Sequence, residues 1–320
     1  MLEPARHLAA LARYAVNRRA QERDDAEALS ELETVPLELP AGLDLEWLGV
    51  SGYRMTYEGH TLLIDPYFSR VPLRSLIRRE PARPDPATLD RFLRIHGHAV
   101  GVLVGHTHFD HAVDAPEIAR RFRCPALGSR SLAALMRLHG LGDQAVEVEP
   151  YRTYELGPFA VSFTPSAHSK LLLGLAVPFD GELTCAHLDQ LSPGAYRCGQ
   201  VWGIHVSVAG TSFYHQGSAD LVDDAIRHRG VDFFLAGVAG RSFTRDYWER
   251  ILRRLEPRVV VPTHYDDFFK PLDDPMDFTT NVKLANVPEE VGAVSRDFST
   301  AALPRLRASP AEPSRPRGST

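Results

Sequence analysis

From Trp47 onward, short apolar runs alternate with glycine-bearing turns, and the period of the pattern switches repeatedly between that of strands and that of helices. LEWLGV, YRMTYEG and HTLLIDPYF are predicted strands, and DPATLDRFLRIHG is a predicted helix. AVGVLVG is a continuous apolar run of the kind that a buried strand carries. DAPEIARRF is predicted as a helix, with Asp114 and Glu117 as a capping pair and Pro116 in the first turn. A helix SLAALMRLHG, strands within YELGPFAVSFTP, and a strand pair VWGIHVSVAG and TSFYHQGS follow. The series ends with helix LVDDAIRHRG, strand VDFFLAGVAG, helix RDYWERILRRLE and strand RVVVPTH. Hairpins and strand-helix-strand units therefore coexist, which predicts an α/β layered fold.

Three segments follow from the same pattern: a helical, charge-rich leader over 1–44, the strand-and-helix domain over 45–300, and a Pro-, Ser- and Arg-rich tail over 301–320 expected to be disordered. In the leader, LAALARYAV is broken by Arg13, so it is expected to be an amphipathic helix packed on the protein's own core. Peripheral contact with a membrane surface is the alternative.

Composition narrows the function classes. With 320 residues, 44% hydrophobic and 24% charged, the chain can bury an ample core. A net charge of -5 gives no basis for a nucleic-acid partner. The 3 cysteines, Cys124, Cys185 and Cys198, form no CxxC pair, which argues against a disulfide framework and for a reducing, cytoplasmic compartment.

The chemistry concentrates in GHTHFDH, delivered by the AVGVLVG strand. His106 and His108 project to one side if the chain is extended there, and Asp110 and His111 follow from the turn into the next helix. Imidazole nitrogen and carboxylate oxygen suit a zinc-like ion, and HxHxDH can serve two neighbouring ions. Such a motif cannot close two coordination spheres alone. Further donors stand at the ends of other strand-like runs: Asp65 in LLIDPYF, His168 in FTPSAHS, His215 and Asp220 in SFYHQGSAD, and His264 in RVVVPTHYDD. His7, His60, His96, His98, His139 and His228 lie in charged helices or turns and are expected at the surface; His205 lies mid-strand as a structural histidine.

LLIDPYF, GHTHFDH, PSAHS, YHQGSAD and VVVPTHYDDF, in this order, resemble the metallo-β-lactamase superfamily. WLGVSGYRMTYEGHTLLIDPYFS and PTHYDDF are similar to its branch containing N-acyl-phosphatidylethanolamine phospholipase D and ascorbate-phosphate lactonase. The resemblance covers about Leu45 to Phe269. It implies an αββα sandwich of two mixed sheets with outer helices and a binuclear site at one edge. It further implies that His106, His108 and His168 hold one metal and that Asp110, His111 and His264 hold the second. Asp65, and His215 with it, would stand behind these ligands and orient them by hydrogen bonding. Two departures stand out. Gly217 is followed by Ser218 where the family carries its bridging aspartate, so either Asp220 bridges, or Ser218 caps a helix and His215 or water completes the site. Val50 stands where relatives often carry histidine.

What the resemblance implies chemically is a hydrolase. Two divalent ions, zinc first with Mn²⁺ or Fe²⁺ as alternatives, would activate a water against an ester, lactone or phosphodiester. Asp110 would orient the nucleophile or take its proton, and Tyr265 would be either a donor to the developing oxyanion or a packing residue. The expected substrate is a small or lipid-like molecule walled by the stretch Lys170 to Gln200. Arg241, near a strand end, is a candidate phosphate contact. Two other classes compete: an oxygen-dependent enzyme with one iron, such as a persulfide dioxygenase, and a non-catalytic binding module on the same fold.

Overall fold

A computed structural model of the chain describes residues 2–171 and 174–307. The long helix α1 (Leu2–Leu32) precedes a first sheet of β1 (Asp44–Gly49), β2 (Gly52–Tyr57), β3 (His60–Ile64), β4 (His98–Leu103), β5 (Ala126–Gly128) and β6 (Ala145–Glu147), adjacent in that order. β1, β2 and β3 pair antiparallel through tight turns; β3 to β6 run parallel. Parallel neighbours need crossovers. These are α2 (Leu73–Arg78) with α3 (Pro86–Phe92), α4 (Phe109–Ala112) with α5 (Ala115–Phe122), and α6 (Arg130–Leu138).

The second sheet contains β7 (Thr153–Leu156), β8 (Phe159–Ala167), β9 (Val201–Val208), β10 (Thr211–Gln216), β11 (Asp220–Leu221), β12 (Phe233–Gly237), β13 (Val259–Thr263) and β14 (Ser299–Thr300). Their order is β11-β8-β9-β10-β12-β13-β14, with β7 also on β8. It too is mixed: antiparallel from β11 to β10, parallel from β10 to β14, with α7 (Tyr247–Leu255) and α8 (Val287–Val294) as crossovers.

Strand alternation sorts the apolar residues between layers. Leu62 and Ile64 of β3 and Leu103 of β4 join Phe163, Ile204 and Val206 in a core between the sheets. Their neighbours Leu63 and Val102 face the other way and pack with Leu89, Ile118, Leu132 and Leu135 of the crossover helices. The expected α/β sandwich of two mixed sheets with outer helices is thus the observed architecture.

Several local expectations fail for identifiable reasons. LVDDAIRHRG is not helical: Asp220 and Leu221 pair with Ala167 and Ser166 of β8, and a short 3-10 turn follows at Asp223–Ala225. Tertiary partners claim that segment, since Arg250 and Arg254 both engage Asp223 and Tyr151 donates to the Ala225 carbonyl. The Asp114 carboxylate does not cap its helix; it accepts the Phe68 and Ser69 amides at 2.6 and 2.9 Å. His228 is stacked on His205 with ring centroids 3.8 Å apart, so it is not a free surface group. Part of the stretch expected to be disordered is packed: Ala301, Ala302 and Leu306 are buried, and Leu306 N–H donates to the Trp47 carbonyl. Residues 308–320 lie outside the described residues, as do Leu172 and Leu173 of the stretch expected to wall the pocket. At the C-terminal end of α1, Leu29 and Leu32 are buried, whereas Leu8 and Val16 nearer its start are exposed. Among the described residues no helix is long and apolar enough to cross a membrane.

Candidate metal centre

Strand ends build the site. β4 stops at Leu103, Val104 and Gly105 carry the chain out, and His106 to His108 follow before α4 begins at Phe109. Asp110 and His111 lie within that first turn and are buried. His168 follows the last residue of β8, and His264 the last of β13. His264 (φ 61°) and Asp65 (φ 42°) both occupy the left-handed region, where a non-glycine residue is strained unless its surroundings hold it. Both are held: His264 N–H donates to the Val50 carbonyl at 2.7 Å, and Asp65 N–H to the Leu103 carbonyl at 2.8 Å.

Two groups of three emerge, His106–His108–His168 and Asp110–His111–His264, each with donor atoms within 4.8 Å of one another. The first three rings form a nearly regular triangle, with centroids 4.8, 4.9 and 4.8 Å apart and planes close to perpendicular. Asp110 Oδ2 lies 3.3 Å from His264 Nε2 and 3.7 Å from His111 Nε2. His106 and His111, one from each group, are 3.8 Å apart between centroids.

Hydrogen bonds fix the tautomers, because a carbonyl or carboxylate oxygen can only accept. His108 Nε2 donates to the Pro178 carbonyl at 2.8 Å, leaving Nδ1 as the lone-pair nitrogen. His168 Nδ1 donates to the Ser169 carbonyl and His111 Nδ1 to Asp65 Oδ2, each at 2.8 Å, leaving their Nε2 atoms. His106 is buried with neither nitrogen bonded, and His264 Nδ1 is also without a partner among the described residues. An imidazole buried with both nitrogens unsatisfied is costly, and a divalent ion answers that deficit. Three nitrogens in one group and two nitrogens with one carboxylate in the other are donor sets that suit zinc.

Electrostatics favour the neutral, metal-ready forms of His106, His108 and His168. Burial, then the neighbouring imidazoles, hold His106 well below the usual histidine range, and burial brings His108 to about 4 and His168 to about 3. His111 moves upward: burial opposes its charge, but Asp65 and Asp110 outweigh it. Asp110 is held low because His111 and His264 outweigh its desolvation.

Behind this cluster, Asp65 spans two elements, accepting Gly105 N–H at 2.6 Å on Oδ1 and His111 on Oδ2. His215 is fully buried, donates from Nε2 to the Ser51 carbonyl at 2.9 Å, and lies 3.8 Å from Asp65 Oδ2. Gly217 closes this layer, and a Cβ there would meet Asp65 Oδ2 at 2.8 Å.

Three residues expected at the site, Asp220, Tyr265 and Arg241, are not brought to it. Asp220 is drawn off by β11: its Oδ1 accepts Leu221 N–H at 2.8 Å and faces Arg250 at 3.6 Å, outside both groups of donors. Ser218, the alternative, accepts Ser169 N–H through Oγ at 3.1 Å and so braces the His168 loop. Tyr265 is buried in the inter-sheet core, with its ring 4.6 Å from Trp47, and is a packing residue. Arg241 is committed elsewhere, paired with Glu290 at 2.7 Å and bonded to the Lys283 carbonyl. The Pro178 and Ser51 carbonyls were not legible as functional, since a backbone oxygen leaves no mark in residue identity.

Residues 44–264 match the model of the beta-lactamase superfamily domain. The chain belongs to this superfamily. Relatives named UPF0173 metal-dependent hydrolase from Archaeoglobus fulgidus and Methanosarcina mazei are each 26% identical, over 261 and 249 residues. The alignments cover 78% and 76% of this chain and 94% and 92% of those proteins. Among solved structures, Igni18, a metallo hydrolase from Ignicoccus hospitalis, aligns with a TM-score of 0.52 at 18% identity, over 83% of this chain and 97% of that one. CmlA, a diiron beta-hydroxylase from Streptomyces venezuelae, also reaches 0.52, at 16% identity over 84% of this chain and 54% of its own. At these identities the structural likeness is one of fold. By superfamily membership and the company of its relatives, the chain is an enzyme of the metal-dependent hydrolase class.

Proposed function

We propose that the superfamily member described here hydrolyses an ester, lactone or phosphodiester with two divalent ions, zinc by the chemistry of the donors. His106, His108 and His168 would hold one ion, and Asp110, His111 and His264 the other. The observation that carries this reading is His106, buried with both ring nitrogens unpaired between two groups of complementary donors. Ions at the two groups would supply Lewis acidity, lowering the pKa of an attacking water and polarising the group under attack.

The chain's own residues set the geometry. Asp110, an anion beside two imidazoles, would orient the nucleophile or take its proton. Asp65 holds His111 and the Gly105 turn in one arrangement. Phe268 stands edge-on to His264 at 5.7 Å, and Phe179 edge-on to His108 at 6.5 Å. One aromatic ring beside each group of donors suits a substrate with an apolar group next to the scissile bond, in keeping with the resemblance to the phospholipase D and lactonase branch. The three free cysteines suit a reducing, cytoplasmic setting.

The reading is tested by assaying purified wild type and His108→Ala on phosphodiester, lactone and N-acyl phospholipid substrates. Hydrolysis of one class by wild type, reduced at least about a hundredfold by His108→Ala, supports the proposal. Hydrolysis that the substitution leaves unchanged contradicts it.

A further inference from the structure

His264 is held by a clamp that lies outside both groups of donors. Asp266 is fully buried, and its carboxylate joins two distant elements. Oδ1 accepts Val50 N–H at 2.8 Å, in the turn between β1 and β2, and Oδ2 accepts Arg70 Nη2 at 2.9 Å, with Arg305 Nη1 at 3.8 Å. The Val50 carbonyl, on the other side of the same residue, accepts three donors: Trp47 Nε1 at 3.0 Å, His264 N–H at 2.7 Å, and the Thr263 hydroxyl. Val50 (φ 51°) and His264 (φ 61°) are both left-handed, so each needs its surroundings to hold it. Gly49 (φ 93°) makes room, since a Cβ there would lie 1.9 Å from Arg70 Nη2.

A buried ion pair is a poor stabiliser unless its geometry is good and its remaining donors are satisfied. Arg70 does not meet that condition, because its Nε and Nη1 are buried without partners among the described residues. A function in positioning explains why the pair is kept. We propose that Asp266 is a positioning residue for His264: through the Val50 turn it holds that imidazole in the left-handed conformation that brings Nε2 to Asp110. The inference rests on the reading that Asp110, His111 and His264 hold an ion.

Asp266→Ala, Asp266→Asn, His264→Ala and wild type are purified, and zinc affinity and stoichiometry are measured by chelator competition, with thermal unfolding alongside. Wild type is expected to bind two ions and His264→Ala one; any other result for this pair overturns the two-ion reading itself. Asp266→Ala is expected to weaken one ion at least about tenfold and leave the other unchanged. Asp266→Asn keeps an acceptor for Val50 N–H but loses the charge facing Arg70, so an intermediate loss, about threefold, is expected. Where the alanine variant does not fold, the asparagine variant decides. Two ions at wild-type affinity in a folded variant, or parallel weakening of both ions, overturns the positioning role.

Discussion

His106 is the residue on which the metal reading turns, because no hydrogen bond among the described residues satisfies either of its nitrogens. Gly217 is its structural counterpart, a position where the absence of a side chain leaves room for Asp65, His215 and His111. A Cβ at Gly217 would come within 2.8, 3.2 and 3.3 Å of these three. Gly217→Ala is therefore expected to destabilise the protein by about 1–3 kcal/mol and to weaken metal binding, as urea unfolding and metal analysis would show. Unchanged values for both would mean that the layer behind the ligands is looser than it looks. If two ions bind as proposed, acid should release them in order. Protons compete for His111, whose affinity for them is raised by Asp65 and Asp110, at higher pH than for His108 and His168, held near 4 and 3. On titration downward from pH 7, the ion count per chain is expected to step from two to one before falling to zero, with the ion on Asp110, His111 and His264 leaving first. Simultaneous release would contradict this ordering.

Among the elements, strands and their ends were legible and short-range polar choices were not. GHTHFDH, His168 and His264 could be found because each follows an apolar run whose length and β-branched content mark a buried strand. Asp220 could not be placed, because a one-residue difference in register decides which side an extended residue faces, and Tyr265 could not, because the left-handed His264 before it interrupts the strand alternation. The helix expected at LVDDAIRHRG failed for a tertiary reason, the pairing of Asp220 and Leu221 with β8. Asp25 of α1 is buried and accepts Ala285 N–H at 2.9 Å, tying the leader to the segment before α8. Asp25→Ala should strand that amide and cost about 1–3 kcal/mol in urea unfolding; no change would mean that water replaces the carboxylate. On the second sheet, burial and the stacked His228 bring His205 to about 4. Because its folded-state value is lowered from 6.5, the unfolded chain binds the extra proton between about pH 6.5 and 4, and stability falls as pH falls through that window. His205→Phe should flatten that part of the stability curve; an unchanged slope would show that His205 does not carry it.

For the whole molecule, two mixed sheets bring together, at their strand ends, donors separated by up to 158 positions in sequence, from His106 to His264. Residue pattern was enough to expect the sandwich, since hairpins and crossover units appear as separate signatures along the chain. It was not enough to expect that residues up to 307 would pack, because a Pro- and Arg-rich stretch has the same composition whether or not it adds Leu306 to Trp47. The metal reading has a consequence for stability, because ions that bind only the folded state add to it. Chelation should lower the unfolding temperature and zinc should restore it. The central claim is most directly tested by counting metal ions in the purified protein, as isolated and after reloading. Two zinc or manganese ions per chain, reduced when His106 is changed to Ala, are expected; a single iron per chain, or no bound metal after reloading, would contradict the account.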